Sequence, residues 1–166
     1  MLGATQLAWC KNLINTTTAS YIVIHSPAEW SNICSNTGLQ ENWGSNANTR
    51  AERQEITRYI EDSAAASVKT AHVVCGDRHT GTYLSRMWDG SYNSSSPGSK
   101  LGYVINASPI MASRWYDNTV FANLAADSRV ISFYDPRSFA TTDGVIRTSG
   151  VYMEINEASG RMTVRS

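Results

Sequence analysis

Two short apolar runs, Tyr21-Ile22-Val23-Ile24 and Thr70 to Cys75, constrain the fold of this chain more than any other feature. Both are rich in β-branched residues, which suit a pleated surface, and both read as buried strands. The first ends at His25-Ser26-Pro27, because proline has no N–H to extend a ladder, so His25 sits at a strand exit. Between the runs, Thr49-Arg50-Ala51-Glu52 fits a capping box, in which a hydroxyl and a carboxylate satisfy backbone donors at a helix start. Ile56, Tyr59 and Ile60 then share one helical face, with Arg53, Glu55, Arg58 and Glu61 on the others. A strand, a helix and a strand predict a right-handed crossover between parallel neighbours, and periodicity leaves an intervening strand open.

The remaining elements follow from the same patterns. Leu7, Cys10 and Ile14 fall at helical spacing, Trp9 and Leu13 widen that face, and Asn15-Thr16-Thr17-Thr18 stops the helix through side chains that compete for its backbone. Residues 28–48 are rich in Asn, Ser and Gly, and a loop of that length is functional or mobile. Further strands are predicted over residues 80–89, Leu101 to Ala107, 129–134, 151–155 and 161–165, with Ala158-Ser159-Gly160 as a hairpin turn between the last two. The fold class is therefore α/β (α+β), alternating helix and strand early and β-rich towards its C-terminal part. A chain of 166 residues accommodates one domain, residues 1–166.

Composition excludes several functions. Fourteen basic and fourteen acidic residues cancel, with no basic run, so no nucleic-acid patch is evident and nothing draws the chain to an anionic membrane. No apolar stretch approaches the ~18 residues of a membrane span, and no charged-then-apolar leader follows Met1, which predicts a soluble chain and leaves the compartment unassigned. Three cysteines, Cys10, Cys34 and Cys75, are an odd number without C-x-x-C spacing, so neither a disulfide framework nor a zinc ribbon is indicated. Cys75, within an apolar run, reads as a small buried hydrophobe. Asn15-Thr16-Thr17, Asn93-Ser94-Ser95 and Asn106-Ala107-Ser108 match the glycosylation pattern, which often arises by chance.

The chemistry concentrates at Gly76-Asp77-Arg78-His79, directly behind the second run. A carboxylate and an imidazole two residues apart can both bind a divalent metal, and strand exits are where open α/β sheets build their sites. The competing reading makes Asp77 a turn residue and His79 a partner of nearby backbone. Arg78 can meet a phosphate oxygen with its planar fork or form a structural ion pair. His25 is either a further ligand or a loop histidine without one, and His72, inside an apolar run, reads as packed. Trp30, Trp43 and Trp88 read as packing before a substrate mouth. Neither Cys75 with His79 nor Ser26 with His25 sits in a nucleophile elbow.

In order along the chain, these segments resemble the C-terminal half of a PhoD-like (alkaline phosphatase D type) metallophosphatase. Met1-Leu2-Gly3-Ala4-Thr5-Gln6-Leu7-Ala8-Trp9 is similar to that family's "M-L-G-x-x-Q-x-x-W" helix start. Asn42-Trp43-Gly44 followed by Ala51-Glu52-Arg53-Gln54 is similar to its "W-G-x…E-R-Q" segment. Val73-Val74-Cys75-Gly76-Asp77-Arg78-His79 is similar to its "V-x-x-S-G-D-x-H" strand exit, with Cys75 in place of the usual serine. Val104-Ile105-Asn106-Ala107-Ser108-Pro109 and the closing segments Gly150 to Ile155 and Gly160 to Val164 resemble its later strand and final hairpin.

The resemblance implies a sandwich of mixed β-sheets flanked by helices, and metal-dependent hydrolysis of phosphomonoesters or phosphodiesters at strand ends. It carries Asp77 and His79 over as metal ligands. The implied cofactors are divalent or trivalent ions (Ca, Mn, Fe, Zn or Mg), and the implied partner is a phosphate-ester substrate. The family's "G-D-x-x-Y" and "D-D-H-D/E" segments have no counterpart here, so a phosphatase of this type needs an N-terminal half or a partner subunit to complete its site. His25 departs from the Ser or Asn common near that point in relatives. The alternative expectation is a non-catalytic structural or binding module derived from the same fold, such as a virion or surface component.

Overall fold

The computed structural model describes residues 2–30, 47–76, 82–87, 100–107, 125–126, 130–133, 152–156 and 161–165. The first helix, α1 (Ala4–Thr16), turns Ile14 into the core, with Leu7 and Cys10 packed against it. Trp9 and Leu13 do not widen that face: they are 61% and 50% exposed. The threonines stop the helix as expected, two residues later than Ile14. Thr17 turns to an extended backbone conformation, its N–H still reaching Leu13 O at 3.1 Å, and its hydroxyl accepts the Ala19 N–H at 3.1 Å.

The second helix, α2 (Ala47–Ser63), corrects the capping-box expectation. It begins two residues before Thr49, and both carboxylate oxygens of Glu52 accept the Leu2 N–H, at 3.0 and 3.1 Å. Glu52 thus ties the start of the chain to α2 instead of closing its own helix. Ile56 and Ile60 face inward, as their spacing predicts, but Arg53 joins them at 4% exposure instead of facing water. On the outer side Lys11 forms an ion pair with Glu55, and its ammonium lies 5.4 Å from the Tyr59 ring centroid. A partly exposed pair of this kind contributes little, so the two helices are held mainly by burial.

Among the described residues, five strands form one mixed sheet: β1 (Tyr21–Ser26), β2 (Thr70–Cys75), β3 (Thr82–Arg86), β4 (Leu101–Ala107) and β5 (Val130–Phe133), in the spatial order β1-β2-β4-β3-β5. β1 and β2 pair directly and in parallel around α2, so no strand intervenes, and β4 runs parallel on the other side of β2. β3 is antiparallel to both β4 and β5. A separate antiparallel pair, β6 (Tyr152–Asn156) with β7 (Arg161–Arg165), forms the predicted closing hairpin, whose turn residues lie outside those described. The architecture is mixed α/β.

β1 is not a buried strand. Among the described strands it is the edge, with Ile22 and Ile24 packed against the core and Val23 and His25 exposed on the opposite face. Register places Ile22 beside Ala71, Ile24 beside Val73 and Ser26 beside Cys75, and this row continues into Leu101, Val104 and Asn106 of β4. Together with Ile14, Trp30, Ile56, Ile60 and Val68, the apolar members of that row make the core. Each fully buried Val, Leu or Ile contributes about 1.5–3 kcal/mol relative to exposure, which is why these positions set the strand register.

Candidate functional site

The carboxyl end of the parallel strands is one rim. Its last rung runs Ser26, Cys75, Asn106, from β1 through β2 to β4. His25 stands one residue before that rung, opposite Val74, on the open face of the edge strand. Cys75 leads into the half-buried Gly76 and then to Asp77, Arg78 and His79, which lie outside the described residues. The fold therefore brings together the two strand exits that carry the sequence-predicted ligands, with neighbouring strands about 4.8 Å apart. Among the described residues, no group of three or more His, Cys, Asp and Glu side chains converges to hold a metal ion.

Beneath the rim lies a set of buried polar groups that periodicity did not mark. Glu29 is 1% exposed, Ser26 4%, Arg53 4% and Asn106 0%. The chain leaving β1 is fastened at several points. Ser26 Oγ donates to Ala28 O at 2.7 Å, and Arg53 Nη1 donates to Trp30 O at 3.2 Å, from α2 across to the loop. Trp30 fills the core at 2% exposure, as its packing reading predicts. Trp43 and Trp88 lie outside the described residues. One signal for Arg53 was available: it stands three residues before Ile56 and seven before Ile60, on the inward stripe. Nothing local marks Glu29, whose burial comes from tertiary contact.

Cys75 is the buried thiol expected. Burial pushes it up to about 12; the Trp30 backbone hydrogen bond works against that rise, and the Glu29 charge adds to it. Its Sγ donates to Asn106 Oδ1 at 3.8 Å. A thiol in that range stays protonated at neutral pH and is a poor nucleophile or metal ligand, so a Cys75-based mechanism has no support. Asn106, with no exposed surface, is sealed from glycosylation in the folded chain, whereas Asn15 is exposed at the end of α1.

His72 belongs to a different part of the sheet. It is 3% exposed on β2 beside Val23, where the β2–β4 register shifts between Ala71 and Val73. Its Nδ1 accepts the Tyr103 N–H at 3.2 Å, and its ring stacks on Tyr103 with centroids 5.8 Å apart and planes 13° from parallel. An accepting Nδ1 means that the neutral ring carries its proton on Nε2. Burial lowers its pKa from the ordinary 6.5. The packed reading of His72 holds.

No protein-family model, curated protein or solved structure matches this chain.

Proposed function

We propose that this rim is a metal-binding site for hydrolysis of phosphate esters, monoester or diester, within a metallophosphatase-like sandwich of mixed sheets. The direct parallel pairing of β1 with β2 supports the reading, since it sets the exit bearing His25 beside the exit leading to Asp77 and His79. The donor set suits a hard or borderline cation: one carboxylate and two imidazoles, with His25 on an exposed face. In this reading Asp77, His79 and His25 hold the ion, and Arg78 steadies a phosphate oxygen. Remaining ligands come from a segment or partner subunit outside this sequence. A bound ion of this kind supplies Lewis-acid polarisation of a phosphoryl oxygen and a water ionised near neutral pH. The buried ties at Ser26 and Arg53 fix the loop that follows His25, which limits the entropy lost on coordination.

Metal dependence tests this reading. Mn2+ at about one hundred times its Kd stabilises the folded chain by about 2.7 kcal/mol. For a chain of this size that raises the melting temperature by roughly 5–10 °C. EDTA reverses the gain, and Asp77→Asn or His79→Gln abolishes it without lowering the metal-free melt. Turnover of a model phosphodiester or monoester with added Mn2+ or Ca2+ then reports whether this chain is catalytic by itself. A melt unmoved by metal and chelator, with no turnover, leaves the alternative of a non-catalytic structural or binding module.

A further inference from the structure

We propose that His72 is an acid-sensitive latch on the seam between β2 and β4: its neutral imidazole holds the Tyr103 backbone N–H, and protonating that ring releases the seam. Three observations converge on this role. Nδ1 is already used as an acceptor, at 3.2 Å from the Tyr103 nitrogen. A proton arriving on Nδ1 turns acceptor into donor, so the Tyr103 N–H is left facing another N–H inside the sheet. The ring is 3% exposed, so water cannot stand in for the lost partner. Its position is also fixed from the side, because a Cβ on Gly102 would meet His72 Cε1 and Nδ1 at 2.5 Å, which shows how closely the ring lies on the β4 backbone.

Among the described residues no counter-charge faces the ring. Tyr103 faces the ring from β4, and Tyr21, Val23 and His25 share its face on β1. β1, β2 and β4 contain no Asp, Glu, Lys or Arg at all. The nearest charged residues along these strands are Lys69 and Lys100, just before β2 and β4, and Lys100 Nζ donates to Ala64 O at 3.1 Å.

The sign follows from burial. The folded state holds His72 below its ordinary 6.5, so the unfolded chain binds more protons between the two values. The latch is fully effective above about pH 6.5, weakens as pH falls through that window, and levels off below the folded value. β2 and β4 are central strands, and β2 leads into the segment 76–79, so release loosens the sheet where the rim is attached.

Nitrogen NMR of the full chain, paired with amide hydrogen exchange, tests the latch. His72 Nδ1 is expected to show an unprotonated acceptor shift at pH 7.5 and to titrate below the ordinary histidine value. Tyr103 amide protection, corrected for intrinsic exchange, should fall over the same range, by up to about tenfold per pH unit for one linked proton. His72→Asn, whose carbonyl can accept the same N–H without titrating, should remove that fall, while His25→Asn should leave it. Tyr103 protection that stays constant through the His72 titration overturns the latch. So does an equal fall in His72→Asn, or a His72 that titrates at or above its ordinary value. If His72→Asn does not fold, the paired titrations of the wild-type chain decide alone.

Discussion

Replacing Trp30 with alanine is expected to cost about 3–5 kcal/mol, the largest loss from any single truncation in the described core. Trp30 lies just beyond β1 at 2% exposure and heads the fully buried side chains by size. Its side chain belongs to the buried cluster that also holds residues of α1, α2 and the sheet, so its loss opens a cavity in the shared core. The backbone contact from Arg53 to Trp30 O survives the change, since it does not use the side chain. The loss therefore measures burial and packing. Urea unfolding should show a lower midpoint with an unchanged slope. A cost below about 1 kcal/mol would mean that the loop after β1 is not part of the core, against the usual range for such truncations.

Gly102 gives the second large effect, from crowding. A methyl group there meets the His72 ring at 2.5 Å and Ala71 O at 2.7 Å. The ring can yield only by giving up the Tyr103 N–H, and the carbonyl belongs to a paired central strand. Gly102→Ala is expected to cost about 3 kcal/mol, the upper end of overpacking in a core. His72→Ala removes the ring but not the carbonyl, so the double variant should be less unstable than the sum of the two, with a coupling of about 1–2 kcal/mol. Additive losses would show that ring and glycine do not share one space.

These two positions also mark what could be read from the residues. β2 and β4 were legible to within a residue because mostly apolar stretches end at Gly76 and Ser108, and the crossover followed from α2 lying between two such runs. The edge position of β1 was not legible. Val23 and Ile24 look alike in sequence, and which of them faces water is decided by which face of β1 the core covers. The capping box misled for a related reason: Thr49 and Glu52 have the right spacing, but the Leu2 N–H claims the carboxylate from 50 residues away. Arg53 was legible from its place on the inward stripe had its charge not argued otherwise.

At the rim, proline and glycine punctuation marked both exits, Pro27 after His25 and Gly76 before Asp77. Their adjacency needed the sheet. Glu29 and Asn106 were hidden because a polar residue becomes a buried one only through long-range packing, and no period records that. The register shift opposite His72, where β4 carries the extra residue, was equally hidden, since a register shift is a property of two strands together.

The central proposal is that the β1 and β2 exits share a metal ion, and Mn2+ titration followed on the histidine ring signals tests it most directly. Paramagnetic broadening is expected to be strongest at His25 and His79 together, at substoichiometric Mn2+, and weaker at His72, which shares the His25 face one strand over, and Asp77→Asn should abolish it. Broadening of neither ring, or of His25 alone and unchanged in Asp77→Asn, would contradict a shared site.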